Sequence, residues 1–71
     1  MYIVMELQLN ASGQLGNFVW TFDTLPQAES KYHLVLSTAA VSDIPIHSAL
    51  IMDERGNVLM NTSYDHPVEV E

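Results

Sequence analysis

A chain of 71 residues has room for one domain and no more, and a hydrophobic share of 48% is that of a globular protein, not a disordered one. Two Lys and Arg residues against nine Asp and Glu, a formal net charge of −7, exclude bulk nucleic acid as a partner and docking on anionic membranes, both of which need clustered cations. With no Cys, there is no disulfide framework, thiolate zinc site or cysteine nucleophile.

The first element spans Tyr2 to Leu9. Ile3, Met5, Leu7 and Leu9 alternate with Tyr2, Val4, Glu6 and Gln8, the period of two that marks a strand with one apolar face. Tyr2 and Val4 make the start of its other face apolar too. Residues 10–16 hold two glycines among small polar residues and read as a hairpin loop. A second strand runs from Asn17 to Phe22, with Phe18, Trp20 and Phe22 on one face and Asn17, Val19 and Thr21 on the other.

A helix follows. Thr24 is its N-cap, Gln27 completes a capping box, and Pro26 falls in the first turn, where its missing N–H costs nothing. Asp23 and Glu29 lie near the positive end of the helix dipole. Leu25, Ala28, Tyr32, Val35, Leu36 and Ala39 form an apolar stripe, and Ser30, Leu34, Ser37 and Thr38 face away. The breakers Ser42, Asp43 and Pro45 end the helix near Ala40 or Val41. A second hairpin closes the chain: strands Ile46 to Met52 and Asn57 to Tyr64 join through the turn Asp53-Glu-Arg-Gly56. Val58, Met60 and Tyr64 share a face; in Ile46 to Met52 both faces are partly apolar, so the pattern leaves its inward face open. The tail from Asp65 to Glu71 is expected to fray or to pair weakly at an edge.

The order β-β-α-β-β predicts a single α+β domain over residues 1–71: a two-layer sandwich with one helix on a mostly antiparallel four-stranded sheet. One helix hides one side of such a sheet, and a chain this small has little core to spare. A homo-oligomer is therefore expected, with Tyr2, Val4, Val19 and Leu34 as interface candidates.

The three histidines, His33, His47 and His66, show no metal-ligand spacing, so neither a metal site nor a cofactor is expected. His33, four residues after Glu29, is placed for an exposed ion pair. Ser48, His47 or His33, and Asp43 could be assembled on paper into a triad. But such a site is defined by geometry, and no G-x-S-x-G elbow, H-E-x-x-H or glycine-rich phosphate loop accompanies them. Enzyme activity is not expected. The residues that could serve a ligand or partner site are Lys31, His33, His47, Ser48 and Arg55; ordinary solvation of the helix flanks is the simpler account of the first two. The acids are scattered along the chain, which suits steering toward a basic partner as well as plain solubility.

The N-terminal stretch lacks a basic region and its apolar run is broken by Glu6, so it does not read as a signal peptide. No stretch approaches the ~18 apolar residues that cross a bilayer. Asn10-Ala-Ser and Asn61-Thr-Ser match the glycosylation pattern, and without a secretion signal both are read as chance. The expected location is the cytoplasm.

The stretch Ala28 to Ala49, with Ala28-Glu-Ser-Lys-Tyr-His33, an alanine-rich segment and Val41-Ser-Asp-Ile-Pro-Ile-His-Ser-Ala49, resembles small proteins encoded in phages and mobile elements of gut Firmicutes. Tyr2 to Gln8 and the turn Asp53-Glu-Arg-Gly56 fit the same pattern; the Trp20 region and the tail from Asp65 fall outside it. The resemblance implies a context, the cytoplasm of a bacterial host, and no catalytic residue. In that context three roles are expected: a homo-oligomeric accessory protein that binds a host factor to counter defence; a sponge holding a small nucleotide signal between subunits; or a minor structural or assembly protein of the phage.

Overall fold

The computed structural model describes residues 1–66. It has the expected order: β1 (Tyr2–Leu9), β2 (Leu15–Phe22), α1 (Leu25–Ala40), β3 (Ile46–Asp53) and β4 (Val58–Asp65). The strands form one sheet in the order β2-β1-β3-β4, every neighbouring pair antiparallel. The helix lies across one face of this sheet, so the fold is the two-layer α+β arrangement. None of the described helices is long and apolar enough to cross a membrane.

The helix begins as its sequence dictates. Thr24 is extended (φ −123°, ψ 151°), and its Oγ1 accepts from the Gln27 backbone N–H at 3.4 Å. Among the described residues the return bond of a full capping box is absent; Pro26 occupies the first turn. Ala28, Tyr32, Val35 and Ala39 are buried against the sheet, with Leu25 and Leu36 partly so, which is the expected stripe. At the far end Val41 and Ser42 donate to Thr38 and Ala39 carbonyls at 3.3 Å each, and Ser42 Oγ accepts from the Ile44 N–H at 3.0 Å. That turn leads into Pro45 and β3.

Both hairpins are closed by the same device. In the first, Asn10 Oδ1 accepts from the backbone N–H groups of Ser12 (3.1 Å) and Gln14 (2.9 Å), and Gly13 takes φ +86°. In the second, Asp53 Oδ1 accepts from Arg55 and Asn57 at 2.9 Å each, and Gly56 takes φ +85°. An Asx residue followed three positions later by a left-handed glycine thus makes each turn. The tight first turn lets β2 start at Leu15, two residues before the expected Asn17. Hydrogen bonds from the Asn57 side chain and backbone, helped by the Arg55 N–H and charge, hold the Asp53 carboxyl below the ordinary carboxylate value.

The faces of β1 are the reverse of the expectation. Val4 is fully buried beneath the helix, with Tyr2 packed beside the same core. Ile3, Met5, Leu7 and Leu9 have the opposite parity and line the side of the sheet away from the helix. The register carries this parity across the sheet. Val4 pairs with Trp20 and Ile51, Glu6 with Phe18 and Ala49, and Gln8 with His47. In β3, whose inward face was open, His47, Ala49 and Ile51 are the buried set. In β4, Met60 pairs with Ile51 and Tyr64 with His47. A register shift then pairs Val58 with Met52, so Val58 does not keep the side expected for it.

Of the two alternatives for the tail, its first two residues pair at the sheet edge and do not fray. Asp65 completes β4, and His66 is tied down: its N–H donates to the Pro45 carbonyl at 2.7 Å and its Nε2 to the Ala39 carbonyl at 2.8 Å. Its ring stacks on Tyr64, and the Ala39 carbonyl it reaches lies in the last turn of the helix, where it also accepts from the Ser42 N–H. The rest of that expectation concerns residues 67–71, outside those described.

Candidate functional site

The polar residues within the sheet–helix layer meet at one point. The β1–β3 register sets Glu6 and Gln8 beside His47 on the helix-covered face. His47 Nε2 donates to Glu6 Oε2, and the Gln8 side-chain amide donates to the same oxygen at 3.1 Å. The His47 side chain is 2% exposed and that of Glu6 12%, so two polar side chains are nearly withdrawn from water. Their hydrogen bonds to each other offset much of the desolvation. The other ring nitrogen, Nδ1, is buried and has no hydrogen-bond partner among the described residues. Nearer β4, Tyr32 packs into the core and its hydroxyl meets Thr62 Oγ1 at 2.7 Å.

A carboxylate holding an imidazole is one part of an acyl-transfer site, but the nucleophile considered for it lies elsewhere. Ser48 follows His47 in an extended strand, so it points to the opposite face of the sheet, in register with Leu7 and Ser63. The arrangement orients His47 and does not bring Ser48 to it.

The five residues read as a ligand or partner site occupy different places. His47 is under the helix, and Ser48 is on the open face. Lys31 lies on the helix flank above β2, its Nζ 4.1 Å from the centroid of the Trp20 ring. His33 is exposed, its ring edge-on to Tyr32 at 5.5 Å, and no ion pair joins it to Glu29 among the described residues. Arg55 is exposed at the tip of the β3–β4 turn. Within one chain they do not converge.

The interface candidates are similarly divided. Tyr2 and Val4 belong to the helix-side core, Val19 is 52% exposed on the open face, and Leu34 is 59% exposed on the outer side of the helix. Only Val19 lies on the uncovered face of the sheet, because the parity of β1 is reversed. That face instead carries Ile3, Met5, Leu7 and Leu9 from β1, Val19 from β2, and Leu50 and Met52 from β3.

Two features were not anticipated from the sequence. One is the pairing of Glu6 and Gln8 with His47, whose only sequence signal is the common parity of Val4-x-Glu6-x-Gln8 and His47-x-Ala49-x-Ile51. The other is an aromatic ledge on β2: Phe18, 52% exposed, stacks on Trp20 at 6.0 Å beside the helix, and Lys31 reaches down to it. A half-open cleft of about 210 Å³ lies near the β1–β2 turn, lined by Gln8, Asn10, Gln14, Leu15, Gly16 and Ile44. It is smaller than the roughly 300 Å³ at which ligand pockets begin, and none of the five candidate residues lines it. Among the described residues no three His, Asp or Glu side chains gather as metal ligands do. No family model, curated protein or solved structure matches the chain.

Proposed function

We propose that the protein acts by binding rather than by catalysis: a homo-oligomeric accessory protein of a phage or mobile element that engages a host factor and blunts host defence. The observation that carries the binding part is the division of the surface. The apolar residues Ile3, Met5, Leu7, Val19, Leu50 and Met52 share an uncovered sheet face, whereas acids such as Asp23, Glu29, Asp43 and Glu54 lie on the helix, its flanking loops and the β3–β4 turn. A surface so sorted suits two kinds of contact, an apolar one and an acidic one. The acidic one steers toward a basic protein surface, and the field of a chain at −7 acts over a Debye length of about 8 Å at physiological salt. The phage context and the counter-defence role rest on the sequence resemblance alone.

The test compares two baits in host lysate: the wild-type chain and a Asp23→Asn, Glu29→Gln, Glu54→Gln variant. A specific protein retained by the wild type, released by salt and lost from the variant is expected. If both baits retain the same proteins, or neither retains any, an acid-steered partner is ruled out. The nucleotide-sponge reading needs two subunits, since Lys31 and Arg55 are on separate parts of one chain.

A further inference from the structure

We infer that the open face of the sheet seats the same face of a second copy, giving a two-fold sheet-on-sheet sandwich with Met5, Leu7, Val19 and Leu50 at its centre and Ile3 and Met52 beside them. The inference rests on the homo-oligomer of the proposed function and specifies its geometry.

The first argument is what the single chain leaves uncovered. Its fully buried hydrophobic set is Val4, Ala28, Tyr32, Val35, Ala39, Ala49 and Ile51, and three of the seven are alanines. The larger apolar side chains of β1 are on the other side, half-buried among their sheet neighbours and not covered by the helix. A domain of this size has little stability to spare, and here much of its aliphatic volume faces away from its own helix.

The second argument is area. Four strands spaced about 4.8 Å apart and eight residues long at about 3.4 Å each give a face of about 500 Å². Apolar residues hold about 300 Å² of it, the size of the largest apolar patch on many monomers, which is often a functional one. Two such faces in contact cover about 1,000 Å², the lower bound for a specific interface. Facing sheets packed about 10 Å apart are a standard way to bury this kind of surface.

The third argument is charge. Two copies at −7 each repel unless their contact is free of acids. Across the paired region, the open-face rows are Thr21-Ile3-Met52-Val58, Val19-Met5-Leu50-Asn61, Asn17-Leu7-Ser48-Ser63 and Leu15-Leu9-Ile46-Asp65. The only charge in them is Asp65, at a corner. Polar Thr21, Asn17, Asn61, Ser48 and Ser63 flank the apolar centre, so a two-fold rotation can lay apolar on apolar and polar on polar. A basic protein partner would find no acid at the centre to read. An anionic membrane would find no cation in these rows.

Sedimentation equilibrium and site-directed crosslinking test this. The full chain has no cysteine, so Met5→Cys, Leu50→Cys and Leu34→Cys each introduce one thiol. The wild type is expected to sediment at twice its 8.0 kDa chain mass at micromolar concentration. Mild oxidation should link most of the Met5→Cys and Leu50→Cys chains and leave the helix control Leu34→Cys largely unlinked. A Leu50→Glu variant should shift to a monomer with its sheet circular dichroism retained. If it unfolds, the cysteine variants, which change the side chain little, still decide the question. An oligomer in which the face thiols link no better than the control overturns this geometry and leaves the homo-oligomer standing. A chain that stays monomeric to the millimolar range overturns both. So does a face shielded only when vesicles or a host protein are added.

Discussion

Removing one partner of the Glu6–His47 pair should cost more than removing both. In Glu6→Met the buried Nε2–H of His47 loses its acceptor, and a buried donor left without one costs about 1–3 kcal/mol. In His47→Leu the Glu6 carboxylate keeps only the Gln8 amide at 3.1 Å, with little access to water, and a similar cost of about 1–3 kcal/mol follows. In the double variant neither of these orphans exists, two apolar side chains of similar bulk fill the layer beneath the helix, and the Gln8 amide, which loses Glu6, is part-exposed beside the cleft and can turn to water. Joint replacement of a buried polar pair is often near neutral. The double variant should therefore be more stable than either single one, and with single losses of about 1–3 kcal/mol each and a near-neutral double variant the coupling is about 2–6 kcal/mol. At about 4–8 °C per kcal/mol for a domain of this size, each single change lowers the melting temperature by roughly 4–24 °C. Urea unfolding followed by Trp20, the only tryptophan, reads all four proteins. Protein concentration must be held fixed, because self-association adds a mass-action term. If the two single losses simply add in the double variant, to within about 0.5 kcal/mol, the residues are not coupled and the reasoning fails.

Three further outcomes follow from the structure. Ile51→Ala, on the helix side, should cost about 2–5 kcal/mol, whereas Met5→Ala, on the open face, should cost under half as much in solutions dilute enough to keep copies apart; equal losses would contradict the assigned faces. The Asp53 carboxyl is held below its ordinary value in the folded chain. Its contribution is thus complete above the unfolded value of about 3.9 and is lost as pH falls through the folded one. The melting-temperature gap between the wild type and Asp53→Asn should accordingly be flat from pH 7 to 5 and narrow toward pH 3. Lys31→Met should change the Trp20 emission and cost about 0.5–1 kcal/mol, the usual worth of a partly exposed cation over an aromatic ring; an unchanged spectrum would place Lys31 away from the ring in solution.

The elements were legible because their signals are local. Thr24, Pro26 and Gln27 start a helix whatever surrounds them, and Gly13 and Gly56 need their left-handed conformations for the turns alone. The side of β1 that meets the helix is not a local property. Ile3, Met5, Leu7 and Leu9 are more apolar than Tyr2, Val4, Glu6 and Gln8, and within one chain the more apolar face should be the buried one. What turns the strand over is its neighbour. The aromatic face of β2 and the Ala49–Ile51 face of β3 go under the helix, and register then carries Val4 with them. Glu6 and Gln8 are tolerated there because His47 arrives from β3 to meet them, a pairing across 41 residues of sequence. The candidate site dispersed for the same reason: Ser48 and His47 are adjacent in sequence and on opposite faces of the sheet.

The reversed parity of β1 also bears on how the chain is stabilised. β1 and β3 are the two interior strands, and both have apolar residues on both faces: Val4 beneath the helix and Ile3, Met5 and Leu7 opposite; Ala49 and Ile51 beneath the helix and Leu50 and Met52 opposite. Antiparallel sheets with one wet side alternate apolar and polar residues, whereas strands apolar on both faces belong to sheets covered on both. Here the sequence places an acid, an amide and an imidazole in the helix-covered layer while several aliphatic side chains lie outside it. The outer side chains of Ile3, Met5, Leu7, Leu50 and Met52 are already half-buried among their sheet neighbours, and covering what remains exposed gains about 0.8 kcal/mol for each further methylene buried. A second sheet across the open face removes the mismatch, and the interior strands then lie in the middle of a layered structure of helix, sheet, sheet and helix. Folding and association would in that case be one event. The stability of the wild type should then rise with protein concentration, and a Leu50→Glu variant should lose that dependence.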